Sequence, residues 1–397
     1  MTKTFADLGV SRPVIETLHA RGIEAPFPVQ SLVVADAIAG QDVLGRSNTG
    51  SGKTLAFAIP IVERITPKDQ APAALVLVPT RELAQQVADE FADVARVKGL
   101  RVGVAYGGTN VKEQSRGLGR AHVLIATPGR LHDVTERGLV RLERVRILIL
   151  DEADRMLDMG FQPQVDRIVR RIPKDRQTMF FSATLDGAVG NLARAYTREP
   201  VRHEVESAGE TAEGVEHRFV QVSVHSKVEA LIDLLEHDGE LTLVFVRTKR
   251  GADRLVHKLR AKGVRAEGLH GDMPQRARQR ALERFEAVKV DVLVATDVAA
   301  RGLDLEGISH VVNYDPPQDD KGYVHRVGRT ARAGGTGTGI TLVTADQQGD
   351  IGRMAARLEL HEAFEEDGMK VAPPRVVFSA SASGRRSGLR PPRRRPF

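Results

Sequence analysis

Cysteine is absent from the 397 residues. Disulfide frameworks, thiolate zinc sites and cysteine nucleophiles are thereby excluded, and the composition fits a reducing cytosol. Long apolar runs are missing too: a stretch such as 55–62, which contains Pro60, falls well short of the ~18 residues that a membrane span requires. The opening MTKTFADLGV has no apolar segment followed by a small-residue cleavage site. Neither a secretory signal nor a lipid anchor is expected, and the predicted location is cytoplasmic, without membrane contact. No repeat of roughly 20 to 50 residues is visible, which argues against a solenoid.

Acidic residues are lacking after Asp367, where every charge is basic: Lys370, Arg375, Arg385, Arg386, Arg390, Arg393, Arg394 and Arg395. Taking these eight from the 58 Lys and Arg leaves 50 against 52 Asp and Glu, so the net charge of +6 belongs to the tail. Charge alone therefore does not mark a nucleic-acid binder.

A length of 397 residues fits two or three domains of roughly 100 to 200 residues, each with its own core. Short β-branched runs, LVLVP (75–79), HVLIAT (122–127), RILILDE (146–152), QTMFFSAT (177–184), LTLVFV (241–246), VDVLVATD (290–297) and SHVVNYD (309–315), alternate with amphipathic stretches. Leu83, Val87, Phe91 and Val94 recur at helical spacing, as do Leu231 with Leu235 and Leu255 with Leu259. Such alternation predicts an α/β protein whose parallel sheets carry helices on both faces. The polar text EVESAGETAEGVE (204–216) reads as a linker. Domains are expected at 1–206 and 217–371, joined by a linker at 207–216. The Pro-, Ser-, Gly- and Arg-rich segment 372–397 is expected to be disordered.

SNTGSGKT (47–54) follows the strand-like DVL and precedes the apolar LAFAIPIV, an order of strand, Gly-rich turn and helix that builds a phosphate cradle. Thr49, Gly50, Ser51 and Gly52 would wrap phosphates with backbone N–H groups. Lys53 would meet the β and γ oxygens, and Thr54 would face Mg²⁺. Ser47 stands where the phosphate-loop pattern starts with Gly. Asp151, Glu152, Ala153 and Asp154 close the apolar run RILIL. An acidic tetrapeptide alone is more often a helix N-terminus. At the end of a buried strand it suits a cleft, with Asp151 holding Mg²⁺ through water and Glu152 orienting and deprotonating the attacking water. HRVGRTARAG (325–334) spaces Arg326, Arg329 and Arg332 by three, which predicts one helical face. Two readings follow: a solvated or acid-paired basic helix, or arginines that reach the γ-phosphate when two domains close.

These segments, in this order, resemble the DEAD-box ATP-dependent RNA helicases over most of the chain. The resemblance implies two tandem RecA-like domains, each a mostly parallel sheet with helices on both faces. It also implies a Q motif at GIEAPFPVQ (22–30), with Gln30 reading adenine and Phe5 as the upstream aromatic. PTRELAQQ (79–86), the Gly107-Gly108 pair and TPGR (127–130) resemble segments that hold RNA backbone, which implies contacts from Pro79, Thr80, Arg81, Gly107, Gly108, Thr127, Pro128, Gly129 and Arg130. By the same similarity Thr248, Gln275, Arg278 and Thr296 face RNA, and Gly302 and Asp304 face the nucleotide. Arg329 and Arg332 become arginine fingers. Asp154, Ser182 and Thr184 of the SAT segment, His325 and Arg326 become a coupling network.

The implied activity is RNA-stimulated hydrolysis of ATP to ADP and phosphate, with ATP and Mg²⁺ as cofactors, coupled to domain closure and local, non-processive unwinding of short RNA duplexes or RNP remodelling. The implied partner is RNA, single-stranded or short duplex, gripped through its backbone with little sequence specificity. Two other classes stay open on the residues alone: an RNA-annealing clamp that works through its Arg-rich tail, and a DNA helicase or transporter ATPase with the same phosphate loop.

Overall fold

The computed structural model describes residues 3–47, 51–204, 214–238, 241–300, 305, 307–331, 335–366 and 368–369. Two sheets organise them. The first holds β1 (Val43–Arg46), β2 (Ala74–Leu77), β3 (Val102–Ala105), β4 (Val123–Ala126), β5 (Ile147–Asp151), β6 (Gln177–Ser182) and β7 (Val201–Glu204), in the order β3-β4-β2-β5-β6-β1-β7. The second holds β8 (Val215–Gln221), β9 (Thr242–Val246), β10 (Ala266–Leu269), β11 (Val292–Thr296), β12 (His310–Asn313) and β13 (Gly337–Val343), in the order β10-β11-β9-β12-β13-β8. Every described pairing is parallel.

Parallel strands need helical crossovers, and the crossovers cover both faces of the sheet. Alternate residues of a central strand therefore enter different cores. In β2, Val76 joins the core that contains Phe57 and Phe91, while Leu75 and Leu77 join the one that contains Met156 and Phe180. In β9, Val244 and Val246 face Leu255 and Leu259, while Leu243 and Phe245 face Phe285. This double burial explains why the interior strands read as unbroken apolar runs.

β8 begins at Val215 and pairs with β13 through Glu216, so the last residues of the expected linker are strand. Residues 205–213 and 370–397, and with them most of that linker and the whole expected tail, lie outside the described residues.

A separate core in the second domain seats the helix Asp320–Val327. Tyr323 of that helix stacks on Phe219 of β8, with ring centroids 6.1 Å apart, and Phe219 meets Phe364 edge-on at 5.2 Å. The Tyr323 hydroxyl lies 2.8 Å from His217 Nδ1. Burial drives the His217 imidazole down to about pKa 4, so at neutral pH the ring is uncharged and shares one hydrogen bond with the tyrosine hydroxyl.

A buried neutral histidine couples stability to pH with a definite sign. Its unfolded pKa is ~6.5, so its contribution is complete above that pH and is lost as pH falls toward its folded value of about 4. The full loss is about 3 kcal/mol. Denaturant unfolding of wild type and His217→Gln between pH 7 and 4 should show the wild type losing more stability than the variant; parallel pH curves would contradict the assignment.

Candidate active site at the domain junction

Chain leaving β1 turns at Ser47 and enters the helix Lys53–Arg64. Ser47 N–H donates to the Ser182 carbonyl (3.2 Å), and its hydroxyl accepts from Ser51 Oγ (3.1 Å). Lys53, buried, donates to the Ser47 carbonyl at 3.0 Å. Ser47 thus anchors the loop to β6 and gives Lys53 a resting partner. Gly52 has φ +82°, and a Cβ there would sit 2.7 Å from Gln30 Nε2. Conformation and close approach both require glycine at that position. Thr49 and Gly50 lie outside the described residues.

Gln30 is fully buried, as its sequence position alone would not reveal. Its Nε2 donates to the Gly52 carbonyl and its Oε1 accepts from Phe27 N–H, both at 2.9 Å. In this arrangement it ties the start of the helix Pro28–Ala39 to the phosphate loop. Phe5 departs from expectation: its ring is 2% exposed within the first core, so it braces the preceding segment and presents no open face to a base.

The carboxylates stand where the strand ends. Asp151 is the last residue of β5 and is buried. Burial, opposed by Lys53 and reinforced by Glu152, pushes its carboxyl up to about 7. A carboxyl so placed is short of positive charge, which fits a hydrated divalent cation whose remaining ligands come from phosphate and water. Among the described residues no group of three or more His, Cys, Asp or Glu is placed to hold a metal ion. Glu152 has φ 51° and ψ 51°, a conformation that strains a non-glycine residue by about 1–3 kcal/mol. Its carboxylate accepts from Arg155, and both side chains are buried. Ser182 Oγ accepts from Asp154 N–H and from Thr184 N–H, both at 3.3 Å. One hydroxyl therefore joins the acidic segment to SAT.

The arginine segment differs from the expected single helical face. The helix Asp320–Val327 stops at Gly328, so Arg329 lies beyond it, and Arg332 falls outside the described residues together with Gly302 and Asp304. Arg326 is buried and engaged inside the second domain. Its Nε and Nη2 donate to both Asp297 oxygens (2.6 and 2.7 Å), and its Nη1 donates to Asn313 Oδ1 (3.0 Å) and the Asp315 carbonyl (2.6 Å). Arg326 therefore holds Asp297, at the end of β11, to the helix that carries His325. It does not reach across to the first domain. Arg329 is buried, with Nε 3.4 Å from the His325 carbonyl.

Several residues expected to meet RNA are brought together, but some are already committed. Arg81 lies over the glycine pair, where a Cβ on Gly108 (φ +87°) would fall 1.9 Å from its Nη1. The same Nη1 donates to Gln275 Oε1 of the second domain at 3.1 Å. Arg278 donates through Nε and Nη2 to Glu82 Oε1 (3.0 and 2.8 Å), with both side chains nearly buried. Gln275 and Arg278 thus clasp the first domain and at the same time line the groove between the domains. Glu82 is a site residue the sequence reading passed over, although it stands inside PTRELAQQ. Arg130 is also committed: its guanidinium donates to the Thr109 carbonyl (2.9 Å), with further bonds to Thr109 Oγ1 and Gln114, so it shapes the loop after the glycines. Thr80 and Thr248 cap the helices Arg81–Val97 and Lys249–Ala261 by accepting from Leu83 and Gly251 N–H. Pro79, Thr80, Gly107, Thr127 and Gly129 line a groove of about 390 Å³ between the domains. Pro128 starts the helix Pro128–Glu136, and Thr296 is buried at the end of β11. Met159, Phe161, Met273 and Val298 add an apolar wall to the groove that no motif signalled.

Comparison with known proteins agrees with this geometry. The family model described as DEAD/DEAH box helicase matches residues 27–192, and the model described as helicase conserved C-terminal domain matches residues 226–334. The chain is 43% identical over 350 residues to the DEAD-box ATP-dependent RNA helicase CshA of Geobacillus kaustophilus, covering 88% of this chain and 75% of that protein. CshA of Bacillus subtilis is 40% identical over 346 residues, covering 87% and 70%. Among solved structures, S. cerevisiae Dbp5 bound to RNA and ADP BeF3 superposes with a TM-score of 0.80 at 28% identity, over 92% of this chain and 93% of that one.

Two glycines of this region should respond oppositely to alanine. Gly129 is the second residue of the helix Pro128–Glu136, with nothing within 4 Å of a new Cβ, so Gly129→Ala should stabilise by roughly 0.5 kcal/mol, chiefly by restricting the unfolded chain. Gly108→Ala meets the Arg81 guanidinium at a positive φ and should destabilise by about 1–3 kcal/mol. Paired denaturant titrations read both, and equal effects would refute the packing described.

Proposed function

The chain belongs to the DEAD-box family of ATP-dependent RNA helicases, and from that premise we propose that its two RecA-like domains close on ATP and RNA together to open short duplexes locally or to remodel RNA–protein complexes. ATP hydrolysis is the family's chemistry. The observation that carries the finer reading is the clasp: Glu82 and Arg81 of the first domain meet Arg278 and Gln275 of the second. Strand-end segments suited to phosphate backbone therefore line one groove made by both domains. Two ligands that favour the same closed state must each strengthen the other's binding by the same factor. Among the described residues no helix is long and apolar enough to cross a membrane.

In this mechanism Lys53 leaves its resting bond to the Ser47 carbonyl and meets the β and γ phosphates. Mg²⁺, held by Asp151 and by the Thr54 hydroxyl largely through water, would offset phosphate charge. Arg155 holds Glu152 Oε2 and so fixes the carboxylate that orients and deprotonates the attacking water. Arg329 and Arg332 complete the positive surround of the γ-phosphate, so the charge that stabilises phosphoryl transfer is supplied partly by the second domain. Ser182 links Asp154 to Thr184 and would pass a change at the acidic segment to SAT. The phosphate backbone is the recognised element, which makes binding tolerant of sequence.

An ATPase assay with and without single-stranded RNA tests the whole reading, since stimulation by RNA is expected. Glu152→Gln should bind ATP and RNA yet turn over at least ~100-fold more slowly, the size expected for a lost general base. The clasp is tested by charge exchange. Glu82→Arg or Arg278→Glu alone breaks a buried pair, a loss of roughly 3 kcal/mol or more, and should depress RNA-stimulated ATPase and unwinding. The double exchange should recover part of it. Absence of any recovery would show that the pair does not stabilise the working state.

A further inference from the structure

A pocket of about 420 Å³ opens on the first domain at the end of the sheet where the strands begin, lined by Gly40, Gln41, Asp42, Arg176, Arg198 and Glu199. Gly40 to Asp42 lead into β1, Arg176 into β6, and Arg198 with Glu199 into β7. These parallel strands run from the pocket toward the phosphate loop and SAT. Nothing that lines it therefore belongs to the nucleotide site or to the groove between the domains. Its volume lies within the range of small-molecule sites, about 300–1,000 Å³.

Two guanidinium groups line this space without a close carboxylate partner. Arg176 is half-buried. Its Nη1 donates to the Pro173 carbonyl (2.9 Å), its Nη2 to the Tyr196 carbonyl (3.4 Å), and its buried Nε has no partner among the described residues. Carbonyls hold the group in place without neutralising it. Burial lowers its pKa, and the charge of Arg198 acts in the same direction, against Asp42. Arg198 has one described ion pair, 4.0 Å from the fully exposed Asp175, a contact too long and too solvated to hold it.

Asp42 is engaged by backbone instead. Its two oxygens accept from Thr178 N–H (2.6 Å) and Arg198 N–H (2.7 Å), and its carbonyl accepts from Val201 N–H (2.8 Å). The lip of the pocket is thereby fixed, with Glu199 held at φ 43°, a conformation that a non-glycine residue keeps only where its surroundings impose it. We propose that this pocket binds a small phosphate monoester, with the Arg176 and Arg198 guanidinium groups donating to the phosphate and the exposed Glu199 carboxylate accepting from a hydroxyl of the same molecule. A monoester carries about −1.5 to −2 at neutral pH, close to the charge of two arginines. The planar fork of a guanidinium matches phosphate oxygens in pairs. A ligand here leaves the phosphate loop and the groove free for their own ligands.

Calorimetric titration of the full chain, saturated with Mg²⁺-ADP, with ribose 5-phosphate and with ribose tests this in wild type, Arg198→Ala, Arg176→Lys and Arg194→Ala. Arg194 is exposed on the helix Gly187–Tyr196 and lines no part of the pocket. Wild type should bind ribose 5-phosphate with a dissociation constant of about 1 mM or tighter, as two charge-assisted contacts allow, and should not bind ribose. Arg198→Ala should weaken the ester by roughly 10- to 100-fold, the loss of one charged hydrogen-bonding partner. Arg176→Lys keeps the charge without the fork and should weaken it by a smaller factor, whereas Arg194→Ala should change nothing. The proposal is overturned if wild type does not bind the ester, if ribose binds as well as its phosphate, or if Arg198→Ala retains wild-type affinity. It is equally overturned if Arg194→Ala weakens binding as much as Arg198→Ala, because the attraction is then general to the surface. Failure to bind ADP would refute the nucleotide reading alone, and the dependence on Arg198 would still decide this one.

Discussion

The pairing of Glu82 with Arg278, nearly buried between two domains, is the constraint on which the rest of the arrangement turns. Removing two charges from water is unfavourable unless they meet each other in good geometry. Each of these charges finds its partner only when the domains are together, since one lies in the helix Arg81–Val97 and the other in the helix Gln275–Glu286. The pair therefore acts less as a source of stability than as a specification of where the second domain must sit. Arg81 sharpens that specification. It needs the bare glycine surface at Gly107 and Gly108 to lie down before it can reach Gln275.

From that junction, short rigid connections run to the phosphate loop in the first domain and to the helix that carries His325 in the second. In the first, β2 ends beside the clasp, and its neighbours in the sheet, β5 and then β6, end at Asp151 and Ser182. Ser182 receives Asp154 N–H, and its carbonyl receives Ser47 N–H. In the second, β11 ends at Thr296, followed by Asp297, whose carboxylate holds Arg326 and so the helix carrying His325. The Arg326 guanidinium also lies 5.0 Å from the Phe245 ring. That helix rests in turn on β8 through Tyr323, Phe219 and His217. Parallel sheets place the strand ends of each domain on one side, so within the first domain the groove and the phosphate loop are built on the same few strand termini.

How much of this was legible depended on burial. The interior strands β2, β4, β5, β6, β9, β11 and β12 were visible as apolar runs because both of their faces are covered. The strands at the margins, β3 and β7 of one sheet and β8 and β10 of the other, were not, because an edge strand is half-solvated and can be glycine-rich or polar, as in VGVA, VRHE and AEGL. β13 hides behind its opening GTG. The phosphate loop and the acidic tetrapeptide were legible because their chemistry is local in sequence. The destinations of Gln275, Arg278 and Arg130 were not, since a long polar side chain carries no sign of whether it will meet a ligand or another domain. Phe5 and Phe27 illustrate the same limit. Both are phenylalanines near the Q segment, and only packing determines which is buried.

The charge total misleads for a similar reason. Near-neutrality of the body is a sum over regions of opposite sign. Residues 249–290 contain twelve Lys or Arg against five Asp or Glu, whereas 291–366 contain seven against thirteen. The basic stretch builds the helix Lys249–Ala261, β10 and the helix Gln275–Glu286, the side of the second domain that starts at Thr248 and includes the clasp. Charges of one sign gathered on one side create a field that a neutral total hides, and within a Debye length of about 8–10 Å that field acts on an approaching polyanion. On the function proposed above, such attraction would bring a charged backbone to the groove without choosing its sequence. Position along the groove would then be left to the strand-end glycines and helix caps, which are fixed by the sheet.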